Sequence, residues 1–351
     1  MMARGFHHRH ESLLVALIAA LCVVVFALNP AFWSAATVFN VLRSSLVFAV
    51  FALGVLLVML SGGIDVSFMA IGVFAGYSSV LLLPANDAPW VPLLAFGIAI
   101  GIGALLGLVN AAVVNGTRMP TLIATLGTQG IFRGGLLAYV GTRYIDNLPA
   151  GLHSFAQADL VTTTSANGTI ARLHGLIVPA AVLCALTAWL LRSTMLGRGI
   201  YAVGGDEESA RRAGLSVARI RVAVFGLAGA LAGFAGLSQI TLARQANPFE
   251  LVGGELDVLA AVVIGGASIN GGRGSVRATL LGVVLIALIK NSLILLGVPG
   301  AWQRAAVGLL LLVAVAIQAL GAAKRPPRPI LEPEGAASGR APSVPAGGGA
   351  P

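Results

Sequence analysis

The sequence predicts an all-α polytopic membrane protein with about ten transmembrane helices, both termini in the cytoplasm and one long polar loop on that same side. Three observations predict it. The 351 residues are 57% hydrophobic and only 10% charged, with a mean hydropathy of +0.92. Soluble domains carry about 25% charged residues, and an ionisable group at mid-bilayer costs roughly 3 kcal/mol. The apolar residues gather in runs of span length, and the Lys and Arg residues divide unevenly between the two sets of connecting loops.

Windows of about 20 apolar residues place helices at 12–28, 46–60, 66–83, 91–114, 121–140, 174–191, 222–242, 256–269, 276–296 and 305–320. The second and eighth are short and run into the pairs Gly62-Gly63 and Gly265-Gly266. The 45 glycines suit helices that approach closely in lipid, where small residues replace the hydrophobic effect as the source of packing. Residues 1–11 read as a cytoplasmic arm. A basic start before an apolar run is also the outline of a signal peptide. The run is long, however, and Asn29-Pro30-Ala31-Phe32-Trp33 offers no small-x-small cleavage site, so an uncleaved first span is expected. His7, His8 and His10 in that arm lack the further ligands a metal site needs. Residues 12–320 form the transmembrane domain. From Lys324 the tail is rich in Pro, Gly and Ala and is expected to be a disordered cytoplasmic segment spanning 321–351.

Charge placement orients the chain. With the N-terminus inside, the inner segments hold Arg4, Arg9, Arg118, Arg192, Arg198, Arg211, Arg212, Arg219, Arg221, Arg273, Arg277, Lys324, Arg325, Arg328 and Arg340, 15 in all. The outer segments hold five: Arg43, Arg143, Arg172, Arg244 and Arg304. Positive residues favour the cytoplasmic side. The net charge of +9 is therefore a matter of orientation and does not imply a nucleic-acid partner. The longest outer segment, 141–173, reads as a loop rich in Thr, Ala and Gly. Cys22 and Cys184 lie within apolar runs and read as packing residues.

One internal stretch stands apart. Residues 196–221, within the loop 192–221, hold three acidic and five basic residues between oily flanks. Gly204-Gly205 would break the preceding segment and Asp206 would cap a short helix. Glu208 would sit in its first turn, where the helix dipole favours negative charge. Arg211 and Arg212 would lie near its end, and Gly214 would terminate it. The alternative is a solvated loop whose arginines only anchor orientation. The chain has no phosphate-binding P-loop: Lys290 is followed by Asn291 and Lys324 by Arg325, so neither completes G-x-x-x-x-G-K-[ST]. Nor is there a Ser/His/Asp arrangement or a dinucleotide fingerprint, and the sequence gives no support to catalysis or a cofactor on this chain.

Four blocks resemble, in order and spacing, the ribose-type branch of ABC sugar importer permeases: LSGGIDVSFMAIGVFAG (60–76), TLIATLGTQGIFRGG (121–135), YAVGGDEESARRAGLSV (201–217) and GGELDVLAAVVIGGASINGGRGSVRATLLG (253–282). Within the third, Glu208-Ser209-Ala210 followed by Gly214 resembles the E-A-A-x-x-x-G coupling motif, with Ser209 replacing the first Ala. Phe68-Met69 departs from the family's Val-Gly. The resemblance implies a bacterial inner-membrane permease that imports a small polar solute, a monosaccharide above all. It implies an ABC ATPase subunit that hydrolyses the ATP, a periplasmic solute-binding protein, a second permease copy or paralogue, and surrounding membrane lipid. It makes 206–215 the docking helix, with Asp206, Glu207, Glu208, Ala210, Arg211 and Gly214 as ATPase-coupling residues.

Physical reasoning adds a candidate pathway. Broken backbone is tolerated in a membrane only where protein or a water-filled cavity satisfies it. The breaks at Gly62-Gly63, Gly265-Gly266 and Gly271-Gly272 therefore either flank a translocation path, with Asp65, Ser67, Ser268 and Asn270 beside it, or are ordinary turns in which Asp65 caps the third helix. Thr125, Thr128 and Gln129 lie within about one turn and form a candidate solute-facing set. Arg133 borders that path, snorkels, or pairs with a carboxylate near the outer face; Lys290 is read the same way. Glu250, Glu255 and Asp257 either receive a docking protein or lie in a solvated loop. Two other functions stay open. An ion-coupled secondary transporter would use intramembrane carboxylates such as Asp65 and Asp257, and a membrane scaffold would have no need of broken helices.

Overall fold

In the computed structural model, residues 2–84, 87–117, 119–164 and 170–323 are described. The chain runs α1 (Met2–Leu28), a 3-10 turn (Pro30–Phe32), α2 (Ala35–Leu60), α3 (Phe68–Leu82), α4 (Val91–Thr117), α5 (Thr121–Val140) and α6 (Ala150–Phe155). A hairpin, β1 (Asp159–Thr164) and β2 (Ile170–His174), follows, and then α7 (Ile177–Ser193), α8 (Met195–Gly205) and α9 (Glu207–Arg212). The chain ends with α10 (Val217–Ala243), α11 (Glu255–Ile264), α12 (Val276–Leu295) and α13 (Gly300–Ala323). Among the described residues, five helices are long and apolar enough to cross a membrane: α1 from Glu11, α2, α4, α10 and α12. A sixth is added if α7 and α8, bent by 72° at Thr194, count as one broken span. The protein is thus an essentially all-helical membrane protein.

The centre of the bundle is α10, which packs on α4, α3 and α2. The close approach of α4 and α10 follows from small residues at four-residue spacing. Ala95, Ala99, Gly103 and Gly107 form one buried row on α4, and Gly229 and Gly233 answer on α10. A Cβ at Gly107 would lie 2.1 Å from the Phe225 carbonyl oxygen, and one at Gly229 would lie 2.2 Å from that of Gly103. The helices touch backbone to backbone, as lipid-embedded packing favours. Around this seam α2 is buried along almost its whole second half, with Phe51 stacked at a tilt on Phe68 of α3.

The structure departs from the sequence expectation in several places. The segment 141–173, expected as an outer loop, is not a plain loop. It holds α6 and an antiparallel hairpin pairing Asp159 with His174 and Thr164 with Ile170, and Ile145 bridges to Ala246. β-Branched Val161, Thr162, Thr163 and Thr164 favour the pleated strand over helix. His174 closes β2, so the helix expected from residue 174 starts at Ile177. The second helix begins at Ala35, capped by Ser34 accepting from the Thr37 amide, which brings Arg43 into a helix. The eighth, expected over 256–269, ends at Ile264. Backbone helix extends back to Met2, through the stretch read as an arm. Arg118 and the tail from Lys324 lie outside the described residues.

Candidate functional site

The polar island folds as two short helices and the start of α10, where one short helix was expected. Thr194 caps α8 by accepting from the Gly197 amide at 3.0 Å. α8 then runs across the end of the bundle with Gly197, Gly199, Ile200, Val203 and Gly204 buried. Asp206 ends α8 and caps α9, its Oδ1 accepting from the Ser209 amide at 2.9 Å. α9 stops in a complete Schellman closure. Leu215 N–H donates to Ala210 O and Gly214 N–H to Arg211 O, with Gly214 at φ +84°. Ala210 packs into the core, and Leu215 rests against it. This six-residue helix is therefore fixed at both ends by its own sequence.

Its two glutamates differ. Glu207 is held by Arg211 at 2.9 Å and by Arg221 of α10 at 2.6 Å, which fastens α9 to the bundle. Glu208 pairs with Arg212 at 3.2 Å, and both are largely in solvent, 61% and 78% exposed. The exposed residues of α9 are thus Glu208, Ser209, Arg211 and Arg212.

The candidate pathway residues separate into three places. Asp65, Ser67, Thr125 and Thr128 come together in the interior. Between α2 and α3 the chain is non-helical and, apart from Gly62 and the half-buried Ile64, buried. Its polar groups are met by α5: Ile64 N–H donates to Thr121 Oγ1 at 2.9 Å, and Val66 N–H donates to Thr125 Oγ1 at 3.3 Å. Asp65 Oδ1 accepts from both the amide and the hydroxyl of Ser67 at 2.7 Å, the turn geometry that launches α3. Asn110 of α4 donates to Ser67 Oγ at 2.7 Å. Protein thus satisfies broken backbone at depth. Asn110 was missed in the sequence; its signal was a lone amide within an apolar run.

Gln129 lies elsewhere, donating to Glu255 Oε1 at 3.0 Å. Ser268 and Asn270 form the third place, in the turn between α11 and α12, where Ser268 N–H donates to Arg273 O and Asn270 is exposed.

At the opposite end of the bundle from α9, all three acidic residues that were expected in a solvated or docking loop are engaged within the chain. Glu255 pairs with Arg133, Asp257 with Lys290 at 2.8 Å, and Glu250 accepts from Gln239 at 2.9 Å. Glu255 is only 11% exposed, too buried to carry an unpaired charge. Of the readings open for Arg133 and Lys290, the geometry selects pairing. Lys290 also lies over the Phe48 ring. It lines, with Asp257, Gln303 and Arg304, a cavity of about 730 Å³.

A capped helix on a helical membrane bundle is shared by many architectures; sequence comparison decides among them. Residues 37–315 match the family described as branched-chain amino acid transport system / permease component. The chain belongs to this permease family. The ribose import permease protein of Escherichia coli (strain K12) is 33% identical over 309 residues, covering 87% of this chain and 92% of the relative. The ribose import permease protein of Bacillus subtilis (strain 168) is 35% identical, covering 84% and 88%. The autoinducer 2 import system permease protein of Klebsiella pneumoniae is 36% identical, covering 84% and 82%. No solved structure matches. Membership in this permease family sets aside the scaffold and the ion-coupled transporter as readings.

Proposed function

We propose that this permease is the membrane-spanning subunit of an ATP-driven importer of a small polar solute of monosaccharide type, a multi-pass protein of the bacterial inner membrane. Two copies, or one copy and a paralogue, enclose the path. A periplasmic binding protein delivers the solute from one side, and ATPase subunits engage α9 from the other. α9 and both termini face the cytoplasm, and ten helical segments traverse or enter the bilayer. The carrying observation is α9 itself, a short helix capped by Asp206, closed at Gly214 and presenting Glu208 and Arg212 to solvent. It sits on a chain with no P-loop. Such a helix suits a soluble partner that supplies the nucleotide chemistry. Relatives named as ribose and autoinducer 2 import permeases support the solute class.

On this reading Asp206, Glu207, Ala210 and Gly214 set the shape of α9, while Glu208 and Arg211 meet the ATPase. Asp65, Ser67, Thr125 and Thr128 brace the broken segment beside the path, and Gln129, Ser268 and Asn270 serve its two ends. The test is reconstitution in lipid vesicles. The chain alone is expected to hydrolyse no ATP, and the chain with its ATPase and binding protein to accumulate sugar only with ATP. Uptake that persists without ATP and collapses with an ion gradient would overturn the proposal.

A further inference from the structure

Three segments far apart in sequence meet backbone to backbone at Gly204. A Cβ there would lie 1.8 Å from the Leu60 carbonyl oxygen and 2.7 Å from the Gly272 nitrogen. One at Gly271 would lie 2.6 Å from Gly204 O and 2.7 Å from the Gly62 Cα. Gly62, Gly271 and Gly272 all have positive φ, at 86°, 86° and 69°, so their backbone shape also excludes other side chains. Hydrogen bonds complete the joint. Gly272 N–H donates to Leu60 O at 3.0 Å, and Tyr201 Oη of α8 donates to Gly274 O at 2.9 Å.

The chain positions of these residues give the joint its meaning. Leu60 is the last residue of α2, immediately before the buried break that holds Asp65 and Ser67. Gly271–Gly274 lies in the turn between α11 and α12. Both helices end alike: α2 closes at Gly62 (φ +86°) with Gly63 N–H to Val58 O, and α11 closes at Gly266 (φ +85°) with Ala267 N–H to Val262 O. Gly204 stands two residues before Asp206, the cap of α9. A backbone-to-backbone contact has no flexible side chain to absorb a displacement, and close-packed contacts transmit strain.

We infer that Gly204 is a positioning residue for transport: it makes α9 and the two glycine-closed breaks, at 61–67 and 265–275, move as one body. The inference rests on the importer reading above and adds the route by which α9 reaches the interior. The neighbouring Gly205 is the internal control, since a Cβ there meets nothing within 4 Å.

The experiment compares Gly204→Ala, Gly205→Ala and Tyr201→Phe in the reconstituted complex with ATPase and binding protein. It reads solute taken up per ATP hydrolysed and hydrogen exchange at the Gly272 amide. Gly204→Ala is expected to speed that exchange, because its methyl displaces the accepting Leu60 carbonyl. It should also lower uptake per ATP on the order of tenfold, with the ATPase still bound because α9 is untouched. Gly205→Ala should leave both readouts unchanged. Faster exchange with wild-type uptake per ATP overturns the inference, as does unchanged exchange in Gly204→Ala or an equal uptake loss in Gly205→Ala. If Gly204→Ala fails to assemble, Tyr201→Phe decides: a several-fold loss of uptake per ATP supports the inference and wild-type coupling overturns it. A wild-type complex without ATP-driven uptake overturns the importer reading itself, an outcome separate from any pattern among the variants.

Discussion

The two ends of the bundle spend charge in opposite ways. At the α9 end, Glu208 and Arg212 form an exposed pair one helical turn apart, a contact that adds only a few tenths of a kcal/mol. At the opposite end, Arg133–Glu255 and Lys290–Asp257 join α5 to α11 and α12 to α11 from half-buried positions. The same residue types thus lie open to solvent at one end and tie helices together at the other. Burial separates the roles, because breaking a pair matters only where water cannot replace the lost partner.

The largest expected effect lies in the ties. Glu255→Leu leaves Arg133 without its carboxylate and Gln129 without its acceptor. It should lower stability by about 2–3 kcal/mol, less than for a fully buried pair because Arg133 is one-third exposed. Thermal unfolding in detergent reads this. The double variant Arg133→Met/Glu255→Leu should recover most of the loss, since both charges are then gone. A double variant no better than the single would mean that Glu255 acts by some route other than pairing.

Next comes the shape of α9. Gly214→Val forces a branched side chain to φ +84°, which costs about 1–2 kcal/mol and undoes the closure onto Ala210 and Arg211. Uptake should fall with the chain still in the membrane. Smaller in stability but sharper for the comparison is Glu208→Lys. It should change stability by less than about 0.5 kcal/mol, yet abolish ATP-driven uptake. Normal uptake in both variants would remove the island from the mechanism and erase the contrast between the two ends.

Those contrasts were unequally legible in the sequence. Hydropathy located the helices because apolar run length is a local property. Asp206 and Gly214 were legible because capping is decided by residues three or four apart. The partners of Glu255 and Asp257 were not, since Arg133 is 122 residues away and pairing across a bundle leaves no local trace. Gly204 was hidden by abundance: among 45 glycines, sequence cannot mark those whose Cβ would strike a carbonyl. The hairpin was missed because the Thr, Ala and Gly of 141–173 have the composition of a loop, although Val161 to Thr164 is a β-branched run.

The last prediction concerns a third use of charge, at the hairpin, where a group must stay neutral. His174 Nδ1 accepts from the Leu176 amide at 3.0 Å, so its proton sits on Nε2 and is donated to Phe155 O, also 3.0 Å away. Protonating Nδ1 would set two donors against each other at the start of α7. Burial is the main cause that lowers the His174 pKa below the usual 6.5, with Arg43 and Arg244 adding to it and the Phe155 carbonyl and Asp159 opposing. A base with a lowered folded-state pKa contributes stability that is fully present above its unfolded value. That stability is lost as pH falls below about 6.5 toward the folded value. The hairpin and the start of α7 should therefore loosen on acidification, read by amide exchange of Leu176 and the strand residues between pH 7.5 and 5.5. His174→Gln, which keeps an acceptor and a donor without a titrating proton, should flatten that dependence. An unchanged slope in His174→Gln would assign the acid sensitivity to another group and return this end of the bundle to a simple matter of paired charges.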